Sequence, residues 1–382
     1  MKTNLKQLSK QEILLYMEGL GQKKFRTEQI INWIYKKLAT SFDEMTDLSV
    51  AFREELKNSS FISSLVLLRR QVSRDGTQKF LFELEDGHTI ESVLIPNNRG
   101  EGRFTLCISS QVGCAVGCRF CMTGRLGLKR NLKAYEIVDQ VIGVKRFIAQ
   151  KHGSCIPSSS IPVVNEVSGE LSKQGGHNSE ITNIVFMGMG EPFNNFNEIS
   201  QALSKLTDLM GFSKRRITVS TAGIVPGIKK LAESKPLVNL AVSLNATTDE
   251  VRNRIMPVNR TYPLKELIAA CRDFPLAPRR RITFEYVMLD SINDSDKDDG
   301  RLVKLLAGIR SNINLIPYNQ LNNAEELRPP SESRILAFQN ILKKAGMTAM
   351  IRKSMGADIS AACGQLKAAY QSDIAAGSKP AD

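Results

Sequence analysis

Three cysteines that lie close together constrain this chain more than any other feature. Cys114, Cys118 and Cys121 are spaced C-x3-C-x2-C inside the stretch SSQVGCAVGCRFCMTGRLG. Two small residues of this loop, Gly113 and Gly117, let the backbone wrap closely around a small inorganic centre. Three thiolates can hold three irons of a [4Fe-4S] cube and leave the fourth iron open to a substrate. The spacing therefore predicts an iron–sulfur site that performs chemistry rather than electron storage alone.

Plainer interpretations of the cysteine loop stay open. A structural zinc site normally has four ligands, and none of the three histidines of the chain lies near the loop in sequence. A structural disulfide is disfavoured because Cys118 and Cys121 are too close in sequence for an ordinary bridge and because nothing suggests export. The open cluster is the favoured interpretation, with zinc or redox thiols as the alternatives.

The composition is that of an ordinary globular protein, and its net charge favours an acidic binding partner. Of the 382 residues, 42% are hydrophobic, which can fill the core of one large domain and a small one. The net charge of +13 favours a polyanion, and nucleic acid is the first expectation, the alternative being a merely basic soluble protein. Because the N-terminus lacks an apolar signal core and no stretch approaches the length of a membrane span, we expect a cytoplasmic protein without a membrane contact.

The pattern along the chain predicts an accessory region followed by a barrel. Residues 1–98 read as short helices and then a β-hairpin, a small α+β module whose basic turn GLGQKKFR is suited to RNA phosphates. Residues 99–366 alternate between strands and helices, which predicts an α/β fold with a partial (βα)6 TIM-type barrel. Within it, the Ser- and Gly-rich segment 151–180 is expected to be a flexible insertion, and residues 367–382 a flexible tail.

Polar residues close several of the predicted strands, where a barrel of this kind places its active site. Gly190 and Glu191 follow the second barrel strand, and a carboxylate there can accept hydrogen bonds from an ammonium group. Ser220, Ser243 and Asn319 end three further strands. Their hydroxyl and amide groups suit a ligand, although ordinary capping of the strand ends explains the serines equally well.

A further cysteine of interest lies near the C-terminus, in the small-residue stretch AACG. Cys363 there is accessible to a ligand or to nucleic acid, and a fourth cluster ligand is the rival interpretation. Cys107 ends the first barrel strand, so it can face Cys363 across the barrel mouth. Cys271 lies in an apolar helical pattern and is expected to be a small core residue.

Taken together, these motifs resemble the RlmN/Cfr family of radical S-adenosylmethionine (SAM) RNA methyltransferases. The resemblance runs from about Lys10 to about Leu366, and its motifs are ESVLIP, the cysteine loop, FMGMGEP, SKRRITVSTAGIVP, EYVMLDSIND, NLIPYN and AACGQL. The match is closer to RlmN than to Cfr, because Pro192 directly follows Glu191. RlmN enzymes methylate C2 of adenosine in 23S rRNA, at the peptidyl transferase centre, and in tRNA, next to the anticodon.

The resemblance implies a role for each matching residue. The implied cluster ligands are Cys114, Cys118 and Cys121, and the implied SAM contacts are Gly190, Glu191, Ser220, Ser243, Leu244, Asn245 and Asn319. It further implies that Cys363 is the cysteine that becomes methylated, that Cys107 resolves it through a transient disulfide, and that Glu91 is the proton acceptor. One residue departs from the family pattern, since members commonly read SLHA where this chain has Asn245 in SLNA; we expect altered detail rather than lost activity.

The resemblance also implies the cofactors, the partners and the course of the reaction. A [4Fe-4S] cluster and two SAM molecules serve each turnover, because C2 of adenine is too electron-poor for simple displacement of a methyl group from SAM. The first SAM methylates Cys363, and a radical made from the second activates that methyl group for bonding to C2. The implied partners are 23S rRNA, tRNA and an electron donor such as flavodoxin or ferredoxin, and a monomer is expected.

Two other functions stay open from the sequence. A Cfr-like enzyme would methylate C8 of adenine in rRNA with the same machinery. A non-catalytic iron–sulfur or zinc RNA-binding protein would have the basic surface and the cysteine loop but would not need Glu191 or Cys363.

Overall fold

The structure is a computed structural model that describes residues 2–97, 102–151, 180–320 and 327–368. The expected insertion at 151–180 falls almost wholly outside the described residues, and so do Cys155 and the expected tail from residue 369 onward. Within the described ranges, no helix is both long enough and apolar enough to cross a membrane.

A ten-stranded sheet forms the centre of the protein, and two short two-stranded sheets accompany it. The strands of the described residues are β1 (Thr3–Asn4), β2 (Ser60–Phe61), β3 (Val66–Val72), β4 (Gln78–Glu83), β5 (Thr89–Pro96), β6 (Arg103–Cys107), β7 (Gln111–Gly113), β8 (Leu128–Asn131), β9 (Glu180–Phe186), β10 (Ile217–Thr221), β11 (Asn239–Ser243), β12 (Ile282–Met288), β13 (Ser311–Pro317) and β14 (Thr348–Ile351).

Helices follow most of the barrel strands and also form the N-terminal module. They are α1 (Lys10–Gly19), α2 (Phe25–Tyr35), α3 (Val50–Ser59), α4 (Met122–Arg125), α5 (Ala134–Lys151), α6 (Phe196–Ser204), α7 (Val225–Glu233), α8 (Asp249–Ile255), α9 (Leu264–Arg272), α10 (Asp296–Leu306) and α11 (Glu332–Lys344). A π-helical turn over Lys205–Leu209 continues α6.

The order of strands in the large sheet is β14-β13-β12-β11-β10-β9-β6-β5-β4-β3. From β6 to β14 all neighbours are parallel, whereas β5, β4 and β3 join one edge as antiparallel strands. The expected partial barrel with an N-terminal module is therefore confirmed. Beyond the six expected barrel strands, β14 adds a seventh parallel strand at the open edge, where the sequence also predicts a final strand over Thr348–Lys353.

Alternation along the barrel strands separates an apolar face from a polar one. In β10, Ile217 and Val219 are fully buried, whereas Thr218 and Ser220 are half-buried. In β12, Phe284 and Tyr286 pack into the core, and the ring of Tyr286 lies 5.6 Å from that of Phe338 in α11. Because successive side chains of a strand point to opposite faces, the helices cover the apolar face and the polar residues face the barrel interior.

Several elements are as the sequence predicts, and others are not. The turn EDGHT joins β4 and β5 as expected, with Gly87 at φ +78°. The helix α8, the helix α11 and the small hairpin of β7 and β8 have no counterpart in the sequence prediction. The hairpin pairs only two short strands, and such pieces carry too little alternation to be recognised.

A buried ion pair attaches the N-terminal module to the barrel. The Lys6 Nζ lies 2.7 Å from Asp139 Oδ1 in α5, and both side chains are at most 2% exposed. Ser63 donates a further hydrogen bond of 3.4 Å to Asp139 Oδ2. A second lysine, Lys205, reaches from the barrel to the carbonyl of Leu8. The two parts of the chain are thus joined by charged groups removed from water.

We predict that Asp139→Ala lowers the free energy of unfolding by about 3–5 kcal/mol, because the Lys6 ammonium then stays buried without its counter-charge. The control is Glu28→Ala, since Glu28 pairs with Lys10 at 2.7 Å but both side chains are more than half exposed. That change should cost about 1 kcal/mol or less. Urea denaturation of the two variants measures both values. Equal losses would show that the buried pair contributes no more than a surface one.

Candidate active site

The three loop cysteines follow β7 and precede α4 on a tightly closed turn. The Cys114 amide donates to the Gly127 carbonyl at 3.0 Å, and the Cys121 amide donates to the Cys118 carbonyl at 3.1 Å. Gly113 has φ +77°, and a Cβ atom there would lie 1.8 Å from the Gly127 oxygen. Only glycine fits this closure, so the sequence prediction that the backbone wraps closely here is confirmed.

The electrostatics of the cysteines indicate that their thiols face one common space. The pKa of Cys114 is raised to about 12, mainly by burial and in addition by the charges of Glu191 and Cys121. Burial also raises the pKa of Cys118 well above its usual value, with further increases from the charges of Cys121 and Cys114. Protons therefore leave these thiols only if a positive centre replaces them, and a metal centre does this.

The donor set fits a [4Fe-4S] cluster better than zinc. All six cysteines in the described part of the chain are free thiols. Within that part, no three His, Cys, Asp or Glu side chains are grouped closely enough to hold a metal ion. The loop supplies three cysteines and no histidine, one ligand fewer than a structural zinc site normally has. A [4Fe-4S] cube binds one thiolate at each of three irons and leaves the fourth iron open, which suits a set of three.

Gly190 and Glu191 lie beside the cysteine loop, at the end of β9. Gly190 has φ +100°, and a Cβ atom there would lie 2.6 Å from the side chain of Gln111. The two carboxylate oxygens of Glu191 accept hydrogen bonds from the amides of Phe193, at 3.0 Å, and Ala222, at 2.6 Å. Burial raises the pKa of Glu191 to about 7, although these hydrogen bonds oppose the shift. The result is a buried, precisely held acceptor next to the cluster loop.

The strand-end residues form a rim at the same end of the barrel. Ser220 and Ser243 are half-buried, in β10 and at the end of β11. In the sheet register Ser243 lies beside Glu285, which in turn lies beside Asn314. Leu244 is fully buried, and its amide donates to the Glu285 carbonyl at 3.0 Å. These positions bring the serines and Leu244 to one edge, as the sequence predicts for a SAM site.

Asn245 adopts a left-handed backbone conformation, with φ +56°, and is 1% exposed. Its side-chain oxygen accepts from the Val287 amide at 2.8 Å, and its amide nitrogen lies 3.2 Å from the Met256 sulfur. Asparagine and histidine both tolerate this backbone conformation, which explains why the usual histidine can be replaced here. The side chain joins neighbouring loops rather than offering a free group to a ligand.

Cys107 and Cys363 lie within electrostatic reach of each other, although they lie at opposite ends of the barrel sequence. Cys107 is the last residue of β6 and is buried, and Cys363 is exposed. The pKa of Cys107 is raised by burial and, in addition, by the charge of Cys363. The Asn319 side chain donates to the Cys363 carbonyl at 3.2 Å. The structure therefore brings together the two cysteines and the asparagine that the sequence singled out.

The loop of Cys363 also contacts the cluster loop directly. The Met122 amide, next to Cys121, donates to the Gly364 carbonyl at 2.7 Å. The pKa of Cys363 is raised to about 11, mainly by desolvation of its sulfur and in addition by the charges of Glu285 and Cys121, which Arg352 opposes. This thiol thus borders both the cluster loop and the polar interior of the barrel.

Glu91 lies on β5, one strand beyond Cys107, and is 4% exposed. One carboxylate oxygen is 3.2 Å from the Lys79 ammonium. The other accepts hydrogen bonds from the amides of Lys367, at 2.9 Å, and Ala368, at 3.1 Å. The chain segment that follows Cys363 therefore covers this carboxylate.

The sequence prediction missed two charged residues at this site. Glu285 is a lone acid on the inner face of β12, and its carboxylate accepts from Asn314 at 2.8 Å. A single acid at an inward position of a buried strand is the signal that identifies it. Arg252 in α8 is fully buried, yet it lies in a stretch of several cations that looks like an exposed basic surface. Nothing in the sequence pattern separates it from its neighbours.

Comparisons with known proteins match 94–96% of the chain. The sequence model of the ribosomal RNA large subunit methyltransferase N-terminal domain matches residues 3–62, and that of the Radical SAM superfamily matches residues 159–303. The dual-specificity RNA methyltransferase RlmN of Syntrophobacter fumaroxidans is 48% identical over 361 residues, covering 94% of this chain and 96% of that protein. RlmN of Geobacter sulfurreducens is 48% identical over 366 residues, covering 95% and 92%.

A solved structure agrees with the sequence matches. The crystal structure of a radical SAM methyltransferase from Sphaerobacter thermophilus superposes with a TM-score of 0.83 at 41% identity. The match covers 96% of this chain and 99% of that chain.

A single variant distinguishes the two roles considered for Cys363, the cysteine that becomes methylated and a fourth cluster ligand. We predict that Cys363→Ala retains the iron and the visible absorbance of the reconstituted cluster, because three other cysteines ligate it, whereas Cys118→Ala loses most of both. Iron analysis and absorbance after anaerobic reconstitution measure this. Cys271→Ala serves as the control, since this buried thiol of α9 lies outside the loop. Loss of the cluster in Cys363→Ala would instead make Cys363 a fourth ligand.

Proposed function

This chain belongs to the RlmN family of radical SAM RNA methyltransferases, and from that premise we propose that it methylates C2 of adenosine in 23S rRNA and in tRNA. The premise makes the protein an enzyme that uses a [4Fe-4S] cluster and SAM, rather than a non-catalytic RNA-binding protein. The proposal adds the position of the methyl group, both RNA substrates and the residues that act. A C8 product is the alternative that the test below separates.

In the proposed site, Cys114, Cys118 and Cys121 ligate the cluster, and Glu191 with the strand-end rim binds SAM. When bound, the two cofactors supply a one-electron cleavage that yields an organic radical able to remove a hydrogen atom. The protein supplies orientation and the exclusion of water. Glu191 is suited to the SAM ammonium group because its carboxylate is held by two backbone amides and each oxygen keeps a further lone pair.

The proximity of Cys107 to Cys363, beside the cluster loop, is the observation that carries the proposal. An ordinary SAM methyltransferase needs no protein thiol, because its substrate atom attacks the methyl group itself. A carbon as electron-poor as C2 of adenine cannot attack in this way. A cysteine that first takes the methyl group and a second cysteine that later releases it solve this problem.

Each residue of the proposed relay has a defined step. The Cys363 sulfur attacks the methyl carbon of SAM, and the electron pair of the broken C–S bond leaves with S-adenosylhomocysteine. The S-methyl group would then lose a hydrogen atom to the cofactor-derived radical and bond to C2, which joins the protein to the RNA. The adduct would return one electron to the oxidised cofactor as it loses its C2 proton. Glu91 takes the proton from C2. The Cys107 thiolate then attacks the Cys363 sulfur, and the S–CH2 bond breaks with its electron pair going to carbon. That carbon takes a proton to become the methyl group, and a disulfide between the two cysteines remains.

The N-terminal module offers a surface for the RNA. Lys23 and Lys24 are exposed just before α2, and the Phe25 ring is 51% exposed. The Arg26 guanidinium lies 4.9 Å from the centre of that ring. Cations next to an exposed aromatic ring are suited to phosphates and to an unpaired base. We include in the proposal a monomer that works in the cytoplasm, with flavodoxin or ferredoxin as the electron donor.

Mass spectrometry of nucleosides tests the function directly. Unmodified 23S rRNA and tRNA are incubated anaerobically with the reconstituted protein, reductant and SAM, and we expect 2-methyladenosine from both. The 8-methyladenosine product would replace the proposal with a C8 activity. Absence of both products, with SAM still cleaved, would refute RNA adenine as the substrate.

The proposed release step predicts a trapped intermediate. In Cys107→Ala the Cys363 sulfur has no thiol to attack it, so a covalent protein–RNA adduct should accumulate and denaturing gels should show it. Cys271→Ala, which removes a buried thiol away from the mouth, should give no adduct. A Cys107→Ala variant that turns over without an adduct would show that another group releases the RNA.

A further inference from the structure

Arg252 is a fully buried cation that joins the ends of two barrel strands. Its guanidinium donates four hydrogen bonds, and all four acceptors are neutral oxygens. The acceptors are the Leu244 carbonyl at 2.9 Å, the Asn259 side chain at 2.9 Å, the Ala222 carbonyl at 2.6 Å and the Ser243 carbonyl at 3.1 Å. The space is so tight that a Cβ atom at Gly223 would lie 3.0 Å from its Nη2.

Within the part of the chain that the structure describes, the charge of Arg252 has no direct counter-ion. Burial lowers the pKa of Arg252 only to about 10, so the guanidinium remains charged at neutral pH. Among the described residues no carboxylate lies within ion-pair distance of it. The strongest electrostatic partner is Cys118, followed by Asp249, which contacts Asn259 rather than Arg252. A buried charge without a partner is costly, so the position calls for an anionic occupant nearby.

A cluster bound by Cys114, Cys118 and Cys121 would be such an occupant. Three thiolates outweigh the positive charge of the oxidised iron–sulfur core, and reduction adds a further negative charge. The helix that carries Arg252 also contacts the cluster loop, because the Arg119 amide, next to Cys118, donates to the Ile255 carbonyl at the end of α8 at 3.0 Å.

The same guanidinium also fixes the rim on which SAM is proposed to lie. Its three backbone acceptors belong to residues at or just beyond the ends of β10 and β11. Ala222 is held from both sides, because its carbonyl accepts from Arg252 while its amide donates to Glu191 at 2.6 Å. A shift of Arg252 would therefore move both the Glu191 carboxylate and the Ser243–Leu244 strand end.

We propose that Arg252 is a positioning residue with two separable effects. Its charge is the counter-ion of the cluster. Its planar set of N–H donors, the fork, clamps the strand ends that bind SAM. This inference rests on the cluster ligation and the SAM rim proposed above but not on the identity of the RNA. A cation beside the cluster favours the reduced, more negative form, so it raises the reduction potential. The fork requires the planar arrangement of donors that arginine has and lysine lacks.

Two variants separate the charge from the fork. Arg252→Lys keeps the charge and loses the fork, whereas Arg252→Gln loses both. The reduction potential of the reconstituted cluster, followed by electron paramagnetic resonance, should match the wild type in the Lys variant and shift to more negative values in the Gln variant. Equilibrium dialysis with labelled SAM should show binding about tenfold weaker, or more, in both.

Arg280→Gln is the matched control, since Arg280 donates one hydrogen bond of 3.0 Å to the Leu237 carbonyl at the opposite end of the strands. It should leave the potential and the SAM affinity unchanged. If the Gln variant binds no iron while the Lys variant binds the full amount, that difference also identifies the charge, because both variants lack the fork.

Equal potentials, or equal losses of iron, in the Lys and Gln variants would overturn the counter-ion role. Unchanged SAM affinity in the Lys variant would overturn the clamp. Neither measurement uses RNA, so both results are independent of whether the wild type produces 2-methyladenosine.

Discussion

Thiolates that bind an iron–sulfur cluster must be removed from water and yet stay charged, and the open end of this barrel is built around that constraint. Burial, together with the charges of Glu191 and Cys121, raises the pKa of Cys114 to about 12, which would leave it protonated. The loop is closed so tightly at Gly113 that no side chain fits there. The fixed backbone then supports Glu191 on one side and the strand ends on the other. Cofactor binding, substrate chemistry and local packing therefore depend on the same small region around the cysteine loop.

The barrel and the N-terminal module contribute to the enzyme in different ways. The barrel places polar residues on its inner face by strand alternation alone, so that Ser243, Glu285 and Asn314 form one row across neighbouring strands. The module carries the exposed cations and an exposed aromatic ring, and it is attached through the buried contact of Lys6 with Asp139. The module and the barrel are therefore joined at a contact from which water is excluded.

The sequence predicts the parts of this structure that local chemistry or periodicity determines. The cysteine spacing identifies the metal loop, and strands such as Ile217–Thr221 and Ile282–Met288 are predicted to the residue because they alternate clearly. Arg252 escapes prediction, because its burial results from the ends of two strands and the residue Asn259, which meet only in the folded chain. The side chain of Asn245 is a similar case, since its backbone conformation turns it away from the rim. Residues defined by tertiary contacts rather than by neighbours along the chain are the ones that sequence reasoning misses.

The carboxylate of Glu91 is also the anchor for the chain just beyond Cys363, through the amides of Lys367 and Ala368. A carboxylate that has taken up a proton is a much weaker acceptor for those amides. If Glu91 is the base, its protonation and the release of that anchor are one event. The order of the steps would then be set by this carboxylate. The loop of Cys363, which carries the RNA, stays bound to Glu91 until the proton has left C2, and it is released only at the stage when the product can leave.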